Sequence, residues 1–191
     1  MKNFKILALA LTATLSLSSC NKDDDNTVIN EEELITTVTT TLANIDGSVT
    51  LTSRDLDGDG PNAPVVTVSG PLRTNTTYFG AVNFLNEAKN PAENINSEIT
   101  EEGTDHQVFY MAAPTAIGAF NYTTLTGDND ANGKPIGLAF TLETGVAGTG
   151  SITVTLKHKP NKSASGVADG DITNAGGSTD AEVTYPVTIA D

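Results

Sequence analysis

Apolar and polar residues alternate with a period of two along most of this chain. In "GSVTLTSR", Val49 and Leu51 share one face while Thr50 and Thr52 share the other. "LITTVTTTL" aligns Leu34, Val38 and Leu42, and "PIGLAFTLE" aligns Ile136, Leu138, Phe140 and Leu142. "GSITVTLKH" sets Ile152, Val154 and Leu156 against Thr153, Thr155 and Lys157, and "EVTYPVTIA" aligns Val183, Tyr185, Val187 and Ile189. Such alternation predicts strands with one face in a core and one in water.

"TYFGAVNFL" (Thr77–Leu85) and "QVFYMAA" (Gln107–Ala113) are apolar on both faces, which predicts more central strands. "AFNYTTL" is a further candidate strand. Pro186 inside the last strand predicts an edge or a bulge there, because proline has no N–H for a ladder. "NEAKNPAENINSEITEE" (Asn86–Glu102) predicts a loop with one short element, since Pro91 and the asparagines oppose a longer helix. "GVAGTGS" (Gly145–Ser151) reads as a hairpin turn between two strands. Eight or nine strands joined by Gly/Asp/Asn turns imply an all-β fold over 31–191, an antiparallel β-sandwich that is immunoglobulin-like in the broad sense. A closed barrel is the main rival. The predicted core includes Val49, Leu51, Val82, Phe84, Val108, Tyr110, Leu138, Phe140, Val154 and Leu156.

The N-terminus breaks this pattern. Lys2 and Lys5 precede "ILALALTATLSL", a run of 12 residues from Ile6 to Leu17 with no acid. A basic start and a short apolar stretch predict a secretory signal peptide. Crossing a bilayer takes about 20 apolar residues for roughly 30 Å of hydrocarbon, so the run is too short for a permanent anchor helix. It stops at "LSSC", Leu17–Cys20, and the tail "NKDDD" follows at once, with Asp23, Asp24 and Asp25 in succession.

"LSSC" resembles the lipobox of bacterial lipoproteins, and "NKDDD" resembles the export signal of Bacteroidetes-type surface lipoproteins. The resemblance implies removal of residues 1–19, a covalent lipid on Cys20, and residence in the outer membrane facing outside. It covers only the N-terminus. One acyl chain binds a membrane marginally, and each buried methylene adds about 0.8 kcal/mol, so a triacylated Cys20 would give a stable anchor. Residues 20–30 then read as lipidated cysteine and acidic tether.

Removing residues 1–19 takes Lys2 and Lys5 away, leaves 172 residues of 191, and moves the net charge from −14 to −16. Phosphates repel such a polyanion, which argues against nucleic acid as a partner. Divalent cations or cationic proteins suit it better. Cys20 is the single cysteine, so once lipidated it leaves no thiol for a disulfide, a metal or a nucleophile.

Candidate chemistry lies in two acidic loops and two histidines. "DLDGDG" places Asp55, Asp57 and Asp59 at alternate positions before a glycine, as in the first half of an EF-hand calcium loop. Val66 stands where the bidentate glutamate of that loop belongs, so it is no EF-hand. "DNDANG" repeats the spacing with Asp128, Asp130 and Asn132, and there Ala139 takes the glutamate's place. Calcium at either loop competes with a plain acidic turn, which favours the same residues. His106 continues the apolar face of Val108 and Tyr110, and His158 that of Ile152, Val154 and Leu156. If their strands are antiparallel neighbours, both rings fall at one end of the sandwich. Asp105, Asp169 or Asp171 would then complete a transition-metal site. The alternative is two rim histidines that cap the core or face solvent.

Gly-x-Ser-x-Gly, His-Glu-x-x-His and the phosphate-binding Gly-x-x-x-x-Gly-Lys are all absent. The 24 acidic residues offer many carboxylate pairs for glycoside hydrolysis, but sugar sites usually stack aromatics and the chain has no tryptophan. The expected function is a non-catalytic surface lipoprotein, a module for ligand or cation capture or an accessory to an outer-membrane transporter or adhesion partner. The alternative is a small secreted hydrolase on a β-sandwich. Mass spectrometry of the membrane-purified protein is expected to find a triacylated peptide beginning at Cys20 and nothing from residues 1–19.

Overall fold

Among the residues described by the computed structural model, 34–58, 61–123 and 127–191, the chain forms eleven strands and one short α-helix. Cys20, Asp23–Asp25 and Asp59 lie outside these residues. The strands are β1 (Thr37–Asn44), β2 (Gly47–Arg54), β3 (Val65–Val68), β4 (Leu72–Arg73), β5 (Thr77–Asn86) and β6 (Glu93–Asn94). After α1 (Asn96–Glu101) come β7 (His106–Ala113), β8 (Gly118–Tyr122), β9 (Ala139–Thr144), β10 (Gly148–His158) and β11 (Ser178–Ala190).

Two sheets result. The larger runs β3-β2-β1-β5-β9-β8, with β6 added beside β5, and the smaller runs β4-β11-β10-β7. Pairing is antiparallel throughout except for the short β11–β4 contact. The fold is therefore an all-β sandwich. Both sheets feed one core, in which Leu42, Leu51, Phe84, Phe140, Leu156 and Tyr185 are fully buried. Tyr185 adds a polar tie, since its hydroxyl donates to the Val38 carbonyl of the opposite sheet at 2.9 Å. A buried hydroxyl left without an acceptor would be costly, so this contact also restricts how the sheets slide.

The alternating stripes land as their period predicts. Val49, Leu51, Val82, Phe84, Val108, Phe140, Val154 and Leu156 are buried, and Tyr110 and Leu138 are half-buried against them. Close packing shows at Gly80, where a methyl group would stand 2.2 Å from Cζ of Phe140, its cross-strand partner. The aromatic ring occupies the space that a side chain would need.

Three expectations need correcting. Leu34 does not join the stripe of Val38 and Leu42: it precedes β1 and is half exposed. Gln107–Ala113 is not central, because β7 is the edge of the smaller sheet. Its outer face is apolar because the 159–177 segment folds back over it, packing Val167 and Ala175 on Phe109. Gln107 Nε2 fastens that segment by donating to the Val167 carbonyl at 2.7 Å. Nor is Gly145–Ser151 a hairpin turn. β9 and β10 belong to different sheets, so the turn carries the chain across the core. Gly145 permits the crossing because a Cβ there would stand 2.1 Å from the Ala116 carbonyl oxygen. Finally, β3 went unpredicted, since "VVTV" is too short and too exposed to show a stripe. Pro186 does sit where β11 is an edge: it opposes Ser151, and β4 reaches β11 only at Ile189 and Ala190.

Leu156→Ala is expected to lower unfolding stability by ~2–5 kcal/mol in urea titration, because it empties a fully buried site. Ile45→Ser, at the 99% exposed turn between β1 and β2, should stay within about 0.5 kcal/mol.

Candidate functional site

β7 begins at His106 and β10 ends at His158, and the two residues are register partners. Antiparallel pairing without interruption carries both side chains inward at the same end of the sandwich, where the rings stack with centroids 4.9 Å apart and planes 7° from parallel. Only 3% of the His106 side chain and 11% of the His158 side chain is exposed. Burial is the main reason that His106 titrates below the ordinary histidine range. Charge on His158 acts the same way, while the Glu102 carbonyl and Asp180 pull against it.

The carboxylates at these rings are not the expected ones. Asp180 Oδ2 lies 3.7 Å from His106 Nε2, and its Oδ1 lies 4.0 Å from His158 Nδ1. A carboxylate oxygen of Glu102 and one nitrogen from each ring also fall within 4.8 Å of one another. Asp105 turns its carbonyl to the Lys159 amide. Asp169 lines a small cleft beside Tyr122, and Asp171 caps a short 3-10 turn by accepting from Thr173 N–H at 2.9 Å.

Asp180 reaches the rings through a bulge. The β10–β11 register runs Leu156↔Ala181 and then Lys157↔Thr179, which leaves Asp180 as the extra residue. By parity with Glu182 and Thr184 it would face outward. The bulge re-aims it. Just upstream, Gly177 lets the chain turn into β11 at φ +65°, and a Cβ there would stand 2.2 Å from the His158 carbonyl oxygen.

In the second acidic loop the chain's own ammonium takes a cation's place. Lys162 Nζ donates to the carbonyls of Gly103 at 2.5 Å and Pro135 at 3.0 Å, and to Asp130 Oδ2 at 3.1 Å. Asp130 Oδ1 accepts the amides of Asn132 and Lys134. Burial works to raise the Asp130 carboxyl, but these amides and Lys162 outweigh it and hold the group below the usual range. Asp128 Oδ1 accepts Leu138 N–H at 2.7 Å, and burial raises its carboxyl despite that bond. Asn132 stays exposed. In the first loop Asp57 Oδ2 accepts from the amide and the side chain of Asn62.

A groove of about 500 Å³ lies on the outer face of the smaller sheet. Thr153, Thr155, Thr184 and Met111 form its floor, and Ile172 rises beside it from the 170–173 turn. Both carboxylates on its lining are engaged: Asp171 at the Thr173 amide, and Glu182 Oε2 with the Thr155 hydroxyl at 3.2 Å. The hydrogen bond from Thr173 keeps Asp171 ionised to lower pH than an ordinary carboxyl.

Asp180, Glu102, Lys162 and this groove were not foreseen from the sequence. Glu102 did leave a trace, standing four residues before His106 at the end of the predicted short element. Asp180 left none, because its phase along β11 points the wrong way. No protein-family model matches this chain, and no curated protein is significantly similar to it.

Lys162→Met is expected to cost about 3–5 kcal/mol, since it leaves Asp130 and two carbonyls without their cation. Asp130 adds a pH dependence of definite sign. Its folded-state carboxyl titrates low, so its contribution is present above the unfolded carboxylate range near pH 3.9 and fades as the pH falls through the lower folded value. Denaturant titrations below pH 4 should show that loss in the wild type and less of it in Asp130→Asn.

Proposed function

We propose that this chain is a lipid-anchored outer-membrane protein of the cell surface whose β-sandwich is a non-catalytic binding or accessory module. The N-terminal "LSSC" and "NKDDD" supply the anchor and the address. The observation that carries the binding role is the outer-face groove. Its floor of threonine hydroxyls with Met111 and Ile172 at the side offers hydrogen bonds beside apolar contact, the usual make-up of a ligand site. Its two carboxylates sit as hydrogen-bond acceptors, and Asp171 is held ionised, which suits holding a ligand better than protonating a leaving group. A negatively charged module on a lipid tether fits a cationic ligand or an outer-membrane protein partner.

Protease added to intact cells should remove the domain, and replacing Asp23, Asp24 and Asp25 by alanine should protect it. Turnover of a polysaccharide, ester or peptide that one Asp, Glu or His substitution abolishes without loss of fold would overturn the binding reading.

A further inference from the structure

We propose that His106, His158 and Asp180, completed by Glu102, bind one divalent first-row transition ion, of which zinc is the type. This rests on the geometry at the closed end of the smaller sheet and not on the anchor or the groove.

The tautomer of His106 is the starting point. Its Nδ1 lies 3.3 Å from the Glu102 carbonyl oxygen. A carbonyl can only accept, so the ring proton sits on Nδ1 and the lone pair on Nε2. That lone pair belongs to the atom facing Asp180. A backbone carbonyl that fixes ring and tautomer is the usual outer support of a metal-bound histidine.

Distances come next. The separations of 3.7 Å and 4.0 Å between Asp180 and the rings are too long for direct hydrogen bonds. Two ligands, each about 2.0–2.1 Å from a tetrahedral ion, stand roughly 3.3 Å apart. The rings are stacked with planes 7° from parallel, so one ring must turn and Asp180 must come closer before the three groups share one ion. The Glu102 carboxylate, just after α1, already lies within 4.8 Å of one nitrogen of each ring and supplies the fourth ligand.

Chemistry then selects the ion. Two imidazole nitrogens and carboxylate oxygens suit zinc and its neighbours, whereas calcium takes six to eight oxygens. With both rings neutral, two carboxylates balance a double positive charge. Strand register and the bulge bring His106, His158 and Asp180 to one end of the sheet before any ion arrives. Asp180 also lines a cleft of about 500 Å³ with Thr36, Ser53 and Asp55, which gives the ion a way in.

The full chain, stripped with a chelator, should be titrated with zinc chloride by calorimetry at neutral pH. One ion per chain is expected, with X-ray absorption showing imidazole and carboxylate ligands and no sulfur. Asp180→Asn and His158→Ala should each weaken binding at least tenfold. Circular dichroism must show that these variants keep the β fold. Zinc affinity unchanged in a folded Asp180→Asn protein would overturn the proposal. Should that variant fail to fold, the wild type still decides: no binding, or an ion without imidazole ligands, overturns it, and two imidazoles support it.

Discussion

β10 is held on both sides, by β7 and by β11, and the two registers are not equivalent. Against β7 it runs without slippage from Ser151 to His158, so the inward parity of Ile152, Val154 and Leu156 passes unbroken to His158 and across to His106. Against β11 it slips once, between Leu156 and Lys157. The unbroken register stacks two imidazoles, and the broken one brings a carboxylate under them. Remove the slip and Asp180 would follow Glu182 to the solvent face, leaving the histidines to cap the core alone.

A chain with 24 acids and 10 bases must still place some carboxylates where water is scarce, and it does so in two ways. At the 127–137 turn, Lys162 reaches in from the segment that folds over β7 and meets Asp130 with two carbonyls. This ammonium ties three distant parts of the chain together, so its removal would be felt beyond one ion pair. At the other cluster the partners of Asp180 are two stacked imidazoles, and burial opposes charge on His106. An ammonium answers an anion by itself. An imidazole lone pair can instead take up an external cation, and that difference in partner chemistry separates a structural ion pair from the proposed metal site.

The 159–177 segment links these features. It follows His158, carries Lys162, packs Val167 and Ala175 on the outside of β7, walls the groove at 170–173 and returns through Gly177 to β11. The outer face of an edge strand is thereby covered. The same cover turns a flat sheet face into a groove.

The two-residue period was enough to identify the long strands, the core stripes and the sandwich, because burying one face of a strand is a local demand written at every second residue. It also aligned His106 with Val108 and His158 with Leu156, and the structure brings those two rings together. The "LSSC" that resembles a lipobox and the acidic run after it are equally local, since they are read as sequence. Asp180 was invisible because a bulge is a property of two strands and shifts parity by one residue. Lys162 was invisible because its partners lie 27 to 59 residues away. Gln107–Ala113 was mistaken for a central strand because an apolar outer face says only that something covers it. Whether a neighbouring strand or a returning loop does so depends on where the chain goes next, and only the tertiary structure decides that.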